Sequence, residues 1–208
     1  PPKAERTSRR ALTAQETAAV LKVIEQEPDG LLLAILYYTG LRRGEALGLR
    51  WSDIDFSART LHVERDIDFV TGDVGTVKTA TSVRTVPMPD ALVAMLQKNR
   101  QIGSGYVIRA PRNGSHWSQA TFMRHWRLIQ AALLSTSPAI EHEGAGSILT
   151  PHYFRHNYAS ILYRSGVDVL TAQQYLGHAD PATTMRIYTH LADETQLKDA
   201  EKVRKAFQ

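Results

Sequence analysis

The sequence contains no cysteine, and this absence removes several classes of protein at once. Without cysteine there is no disulfide framework, no thiolate zinc site and no cysteine nucleophile. A cysteine-free chain also fits a reducing compartment such as the cytoplasm. Any chemistry that the protein performs must therefore depend on other side chains.

A membrane-spanning apolar segment is also missing. The longest apolar stretch, from Gly30 to Tyr38, is much shorter than the roughly 20 residues that a spanning helix needs, so it predicts a buried helix. The first residues, Pro1-Pro2-Lys3, lack the apolar core of a secretory signal peptide. With 208 residues of ordinary composition, the chain is expected to form one large globular domain or two small ones.

Acidic residues are in the minority among the charged ones. The chain has 25 Lys and Arg residues against 21 Asp and Glu residues, a net charge of +4. The basic residues are mostly arginine, whose planar guanidinium binds phosphate through two parallel hydrogen bonds. This composition weakly indicates a nucleic-acid partner, but an ordinary, slightly basic surface explains it equally well.

Helix signals cover most of the chain. Thr13 and Glu16 have the spacing of a capping box, and Thr150 followed by Pro151 combines an N-cap with a proline at the first helical position. Gly166 is expected to end that helix. Helices are predicted over residues 13–28, 30–38, 43–49, 90–100, 118–133, 150–166, 168–176, 181–189 and 193–207. The helix capped by Ser118 is expected to bury one face, made of Phe122, Trp126, Ile129 and Leu133.

The middle of the chain has strand patterning instead. Between Ile54 and Ile67 apolar side chains alternate with polar ones, which predicts a strand hairpin. Further strands are expected over residues 77–87 and 106–108, and Asp90 is expected to cap the helix that follows the sheet. The predicted fold class is therefore α+β, mostly helical, with one small antiparallel sheet at one edge.

Two short segments carry side chains suited to phosphate. His152 and Arg155 lie three residues apart at a helix start, so they share a face where backbone amides also favour an anion. Arg42 follows a helix break, and Glu45 lies one turn later as a carboxylate that can hold its guanidinium. Each segment alone has an ordinary explanation, namely a solvated polar face or a surface ion pair of small effect.

A third segment supplies a histidine and a tyrosine. His178 follows a helix end in Leu176-Gly177-His178, and Tyr188 lies ten residues later. A tyrosine hydroxyl is a covalent nucleophile toward phosphorus when nearby cations lower the free energy of its phenolate. Among 8 tyrosines, any one is more often structural, and His156 is expected to be a hydrogen-bonded core residue.

Four segments in chain order resemble the tyrosine recombinase (phage integrase) family. They are TGLRRGEALGLRWSDID, TVKTATSVRTVPMP, LTPHYFRHNYAS and LGHADPATTMRIYTH. The linking sequence is most similar to integrases of phages and integrative conjugative elements of Gram-positive bacteria. The resemblance implies the catalytic domain of a site-specific DNA recombinase, which cuts and rejoins strands through a 3′-phosphotyrosine intermediate to integrate and excise a mobile element.

The resemblance also implies a role for each residue of the active site. Tyr188 is the nucleophile, and Arg42 and Arg155 bind the non-bridging phosphate oxygens in the transition state. His178 donates a hydrogen bond to the phosphate, and His152 assists proton transfer at Tyr188.

The remaining roles concern the leaving group and the support of the site. Lys78 is the implied general acid for the leaving 5′ oxygen, and Arg84 is the other basic residue close enough in sequence to compete for that assignment. Glu45 is implied to hold Arg42 in place. Because the set has cations and imidazoles but no carboxylate cluster for Mg²⁺, and no P-loop is present, we expect no metal, no ATP and no cofactor.

Seven further basic residues are candidates for DNA contacts, although a solvated basic surface is an equal alternative. They are Arg9, Arg10, Arg109, Arg112, His116, Arg124 and Arg127. In this family most such contacts go to phosphates and position the domain on the double-stranded DNA. Affinity should therefore fall steeply with salt.

The expected domain organisation has three parts. Residues 1–11 are a linker from an N-terminal DNA-binding domain, residues 12–190 form the catalytic domain, and residues 191–208 form a tail helix. The resemblance implies that the tail docks on a neighbouring subunit in a homotetramer on DNA, whereas packing on its own domain is the alternative. It also implies an excisionase-type directionality factor as a partner and a bacterial, nucleoid-associated location in the cytoplasm.

Other functions stay open on the sequence alone. A chromosome-dimer resolvase or a type IB topoisomerase would use the same chemistry, and a non-catalytic DNA-binding module would keep the fold without using the site. A metallohydrolase with His152, His156 and His178 as ligands is disfavoured, because no Asp or Glu stands at matching positions.

Overall fold

The computed structural model describes residues 11–76, 83–101, 103, 105–110, 113–140, 149–178, 180–189, 191–192 and 204. The helices are α1 (Ala14–Gln26), α2 (Gly30–Thr39), α3 (Arg43–Gly48), α4 (Asp90–Lys98), α5 (Gln119–Thr136), α6 (Pro151–Arg164), α7 (Val169–Leu176) and α8 (181–189). The strands are β1 (Ile54–Asp55), β2 (Thr60–Val63), β3 (Arg65–Ile67), β4 (Val74–Thr76) and β5 (Arg84–Pro87). The predicted helices over residues 1–192 are therefore present, whereas the predicted helix over residues 193–207 lies outside the described part.

Local signals set the helix starts where the sequence predicts them. Thr13 accepts a hydrogen bond from the backbone of Glu16, whose carboxylate accepts from Thr13 in return. Ser118 and Thr150 cap α5 and α6 more simply, each accepting one hydrogen bond, from the backbone of Thr121 and of Tyr153. Gly166 follows the end of α6 with a φ of 77°, as predicted for a helix-terminating glycine.

Helix α2 is the centre of the core. Its apolar residues are buried, except for the half-buried Leu31 and Tyr38, which explains why the segment has no polar face. The helix packs against α1, α3, α4 and α6. The predicted core face of α5 is also confirmed, since Phe122, Trp126, Ile129 and Leu133 are all buried.

The predicted antiparallel sheet is present, but the strands form two separate sheets and not one. β2 pairs antiparallel with β1 on one side and β5 on the other, with Leu61 between Ile54 and Val86. β3 leaves this sheet, pairs with β4 and packs against α3. Two glycines of α3 allow that approach: a Cβ at Gly44 would lie 2.7 Å from the Ile67 carbonyl oxygen, and one at Gly48 would lie 3.3 Å from Cβ of Arg65.

Two further local predictions are wrong. Residues 106–108 do not join a sheet, because Tyr106 instead forms an isolated bridge with Arg50, in the turn that follows α3. Asp90 does not cap α4; Pro89 occupies that position, and the Asp90 carboxylate accepts a hydrogen bond from Arg59 at 2.7 Å. In both cases a partner distant in sequence replaces the expected local one.

Within the described part of the chain, no helix combines the length and the hydropathy of a membrane-spanning segment.

Gly166 and Gly177 form a matched pair for testing the packing at the end of α7, because both have a positive φ, 77° and 62°. A Cβ at Gly166 would meet nothing within 4 Å, whereas one at Gly177 would lie 2.8 Å from Nη1 of Arg84. We expect Gly166→Ala to lower the free energy of unfolding by about 1 kcal/mol through backbone strain. Gly177→Ala should lower it by about 3 kcal/mol, because it also displaces Arg84. Urea unfolding measures both, and equal losses would contradict the contact.

Candidate active site

Three arginines converge on the C-terminal end of α7. Nε of Arg84 donates to the carbonyl of Tyr175 at 2.8 Å, Nη2 of Arg155 donates to the carbonyl of Leu176, and Nη2 of Arg42 donates to the carbonyl of Gly177 at 3.0 Å. The last carbonyls of a helix have no intrahelical partner and carry partial negative charge. The end of α7 therefore orients three guanidinium groups.

The three arginines come from distant parts of the chain. Arg42 lies between α2 and α3, just after Gly40, which ends α2 with a φ of 62°. Arg84 is the first residue of β5. Arg155 lies near the start of α6, and its Nη1 also donates to the Gly40 carbonyl at 3.0 Å. The helix breaks at Gly40 and Gly177 thus supply the carbonyls that hold the cluster together.

Glu45 is the buried carboxylate of the cluster, with 1% of its surface exposed. It accepts two hydrogen bonds from Arg84, at 3.0 and 2.8 Å, and one from Nη1 of Arg42, at 2.7 Å. The Arg42 backbone N–H also donates to it, at 2.8 Å. Burial raises the pKa of Glu45, but the hydrogen bonds from Arg84 and the charges of Arg84, Arg42 and Arg155 lower it to about 2.

The cluster has an excess of positive charge. Arg155 is 97% buried, and its pKa is lowered to about 9 by burial first and then by the charge of Arg42. It still carries its proton at neutral pH, so in the described part of the chain three guanidinium groups surround the one carboxylate of Glu45. Arg42 is the most accessible of them, with 40% of its side chain exposed. Such a site favours a bound anion that offsets the remaining positive charge.

His178 lies beside this cluster, directly after Gly177. Its Nδ1 is 2.7 Å from Oγ1 of Thr184. Burial lowers the pKa of His178 to about 3, with further lowering by the charges of Arg155, Arg42 and Arg84. The imidazole is therefore neutral at physiological pH, and it can donate a hydrogen bond from one ring nitrogen only. His152 is exposed at the start of α6 and is a further influence on the same pKa.

Tyr188 is placed differently from the other predicted site residues. Its hydroxyl donates to the carbonyl of Val167 at 3.1 Å, in the turn between α6 and α7, and its ring packs edge-on against Tyr163. Burial, followed by the charge of Asp168, raises its pKa. The sequence predicted a phenolate stabilised by cations, whereas in this structure the hydroxyl bonds a backbone carbonyl.

Arg84 is the residue that sequence reasoning missed. The motif comparison treated it only as a competitor of Lys78 for the acid position, but its hydrogen bonds to Glu45 and Tyr175 occupy the guanidinium in the interior. A signal was available in the strand pattern. Arg84 and Val86 share the buried face of β5, and a charged side chain on a buried face requires a buried partner of opposite charge.

The remaining predicted contacts are scattered or not described. Lys78, Arg9, Arg10 and Arg112 lie outside the described residues. Arg109 and His116 face each other in an isolated antiparallel bridge. Arg124 and Arg127 are exposed on α5, opposite its core face. These four basic residues remain predictions as DNA contacts.

No group of three or more His, Asp or Glu side chains in the described ranges is arranged to hold a metal ion. The alternative ligand set of His152, His156 and His178 therefore has no geometric support.

The buried carboxylate makes folding sensitive to acid, and Glu45→Gln tests this. Because the pKa of Glu45 is about 2 in the folded state and 4.5 for an ordinary glutamate, the unfolded chain takes up the proton first as the pH falls. The stabilisation is complete above pH 4.5 and is lost as the pH falls toward 2, about 3 kcal/mol in all. The difference in unfolding free energy between wild type and Glu45→Gln should therefore shrink across that range. Urea unfolding at several pH values measures it, and a constant difference would contradict the assignment.

The chain is similar to known proteins along most of its length. Residues 10–195 match the phage integrase family. A XerC-like tyrosine recombinase of Caldanaerobacter subterraneus subsp. tengcongensis is 32% identical over 85% of this chain and 49% of that protein. The ICEBs1 integrase of Bacillus subtilis is 30% identical over 88% of this chain and 51% of that protein. The chain thus spans about half the length of these relatives.

Solved structures share the fold. The Tn1549 transposon integrase in complex with circular intermediate DNA has a TM-score of 0.72 and 22% identity, over 96% of this chain and 68% of that one. The catalytic domain of bacteriophage HP1 integrase has a TM-score of 0.58 and 24% identity, over 92% of this chain and 93% of that one. The predicted fold class is confirmed. The match over residues 10–195 confirms the predicted family as well: this chain belongs to the phage integrase family.

Proposed function

We propose that the chain is the catalytic domain of a site-specific DNA recombinase that integrates and excises a mobile element. The observation that carries this proposal is the cluster of Arg42, Arg84 and Arg155 around the buried carboxylate of Glu45. Its excess positive charge suits a phosphodiester, whose charge increases in the transition state of phosphoryl transfer. A phage integrase fold, with relatives named as integrases and tyrosine recombinases, supports DNA as the substrate.

The proposed reaction is a transesterification in which the number of phosphoester bonds stays constant. Oη of Tyr188 bonds to phosphorus, and the bond from phosphorus to the 5′ oxygen breaks. The phenol proton passes to His152, and an ammonium proton of Lys78 passes to the 5′ oxygen, so a 5′ hydroxyl leaves. The 3′-phosphotyrosine keeps the bond energy, and attack by a 5′ hydroxyl reverses every transfer. ATP is not needed.

The three arginines and His178 have different roles toward the phosphate. Arg42, partly exposed, and Arg155, buried beside it, bind the non-bridging oxygens. His178, neutral because its pKa is about 3, adds a hydrogen bond without adding charge. Arg84 bonds Glu45 and the end of α7, so it holds the other arginines rather than contacting DNA.

Attack requires a change at the nucleophile. The Tyr188 hydroxyl must leave the Val167 carbonyl before its oxygen can bond to phosphorus. While the hydroxyl is bonded to Val167, its pKa is raised, so it stays protonated and is a poor nucleophile. We infer that binding of DNA brings the phosphate and the cations close enough to replace this hydrogen bond.

The partners of the reaction follow from the same proposal. Residues 1–11 link the catalytic domain to a DNA-binding domain, and the tail over residues 191–208 docks on a neighbouring copy in a tetramer on DNA. An excisionase-type factor sets the direction of recombination. The apolar residues Leu197, Val203 and Phe207 recur through the charged tail and suit such docking.

A nicked suicide DNA substrate tests the chemistry. We expect a covalent protein–DNA adduct in the presence of EDTA, with peptide mapping placing the DNA on Tyr188. Tyr188→Phe should form none, because it lacks the attacking oxygen. Tyr38→Phe, which removes a half-buried hydroxyl on α2, should form the adduct like wild type.

The cognate DNA for this experiment is taken from the junctions of the source element. A folded wild-type chain that binds this DNA without forming an adduct would overturn the catalytic proposal and favour a binding module. Exchange of strands between two duplexes, rather than relaxation of supercoils alone, separates a recombinase from a topoisomerase.

A sulfur leaving group tests Lys78 as the general acid. Lys78→Ala should lower single-turnover cleavage by about 1,000-fold, within the range of general-acid effects. A substrate with sulfur in place of the 5′ oxygen should restore most of this loss, because a thiolate leaves without being protonated. Arg155→Ala should stay impaired on both substrates, since its role is charge stabilisation. A Lys78→Ala defect of equal size on both substrates would contradict the role.

A further inference from the structure

Thr184 is a buried polar residue in the proposed active site without a role in the mechanism above. Its surface is 0% exposed, and its Oγ1 lies 2.7 Å from Nδ1 of His178. It stands in the first turn of α8, six residues after His178 and one turn before Tyr188. Since residues four apart on a helix share a face, Thr184 lies on the same buried side of α8 as the nucleophile.

We propose that Thr184 is a positioning residue that fixes the tautomer of His178: its hydroxyl donates to Nδ1 and thereby keeps the single ring proton on Nε2. The proposal concerns the role of His178 toward phosphate and in that respect rests on the proposed function. The hydrogen bond itself is a property of the folded chain without DNA.

The direction of the hydrogen bond follows from donor and acceptor counting. A neutral imidazole has one N–H, so either Thr184 donates to Nδ1 or Nδ1–H donates to Thr184. Among the described residues, Nδ1 of His178 is the hydrogen-bond partner of the Thr184 hydroxyl. If Nδ1–H were the donor, the hydroxyl proton would be buried without an acceptor, which is unfavourable. Donation by Thr184 satisfies both groups.

Because the imidazole is neutral, the tautomer decides whether the nitrogen that faces the phosphate is a donor or an acceptor. Burial and the nearby arginines lower the pKa of His178 to about 3, so the ring has only one proton to offer at physiological pH. With that proton on Nε2, the nitrogen away from Thr184 donates to a phosphate oxygen. With the proton on Nδ1, Nε2 would present a lone pair to the same anion and repel it.

The same contact couples two parts of the site. His178 follows the end of α7, where the arginines bind, and Thr184 belongs to the helix that carries Tyr188. A hydrogen bond between them fixes the first turn of α8 against the arginine cluster. Thr184 therefore fixes which nitrogen of His178 carries the proton, and it also fixes the start of the helix that carries Tyr188.

Histidine-ring NMR of the whole chain tests the tautomer directly. In ¹⁵N-labelled protein at pH 7, long-range ¹H–¹⁵N spectra separate a protonated from an unprotonated ring nitrogen, and His178→Gln assigns the signals. We expect wild type and Thr184→Ser to show the proton on Nε2. Thr184→Val should show a mixture of tautomers or the proton on Nδ1.

Thr183→Val is the matched control. It makes the same change one residue earlier on α8, at an exposed side chain, and should leave the His178 signals unchanged. A proton on Nδ1 in the wild type would overturn the proposal. So would an unchanged Nε2 tautomer in folded Thr184→Val. If Thr184→Val does not fold, the wild-type and Thr184→Ser spectra still decide.

Cleavage kinetics provide the second readout. Thr184→Val should lower the single-turnover rate on the suicide substrate on the order of 100-fold, as for loss of one transition-state donor, while the DNA concentration at half-saturation stays within about twofold. Thr184→Ser should restore the rate, and Thr183→Val should match wild type. A parallel loss of rate and DNA affinity would indicate a structural role and overturn the proposal. A wild-type chain without an adduct would contradict the proposed function, whereas the ring spectra decide on Thr184 independently.

Discussion

The active site depends on the way in which the end of α7 binds three arginines. The carbonyls of Tyr175, Leu176 and Gly177 each accept from one guanidinium. Because Arg84 lies on β5 and Arg155 on α6, these hydrogen bonds also join the sheet to the helical core. The positive φ of Gly177 turns the chain sharply there, and its missing Cβ leaves the space that Arg84 fills. Fold and site thus share one set of contacts.

A helix end of this polarity normally attracts cations and repels anions. Among the residues that the structure describes, three guanidiniums surround the one carboxylate of Glu45, so the end of α7 is a candidate site for an anion. The carbonyls and the carboxylate bind some of the N–H donors and fix the planes of the guanidiniums before any ligand arrives. An anion that enters meets donors that need no reorganisation, which is the condition for strong transition-state stabilisation.

Features that depend on neighbours in sequence could be predicted, and features that depend on distant partners could not. Thr13, Ser118 and Thr150 define helix starts through contacts three residues away, so the pattern is visible in the chain itself. The pairing of Arg84 with Glu45 spans 39 residues, and the sequence around Arg84 does not indicate which residue it pairs with. The departure of β3 from the main sheet likewise depends on glycines in α3. The family motifs grouped Arg42, Arg155 and His178, which lie close together in the structure, but they did not point to the buried Arg84 that bonds Glu45.

The placement of Tyr188 links reactivity to the position of α8. In this structure the hydroxyl is bound to Val167 and its pKa is raised, while Glu45 and the end of α7 already hold the arginines proposed to bind phosphate. The two parts of the proposed site are therefore held differently. Glu45 and the carbonyls at the end of α7 hold the arginines, whereas one hydrogen bond to a loop holds the hydroxyl of the proposed nucleophile. Thr184 lies between them, bonded to His178 at the start of the helix that carries Tyr188. Under the proposed function, the bond from Thr184 to His178 holds the first turn of α8 against the arginines while the Tyr188 hydroxyl leaves the Val167 carbonyl.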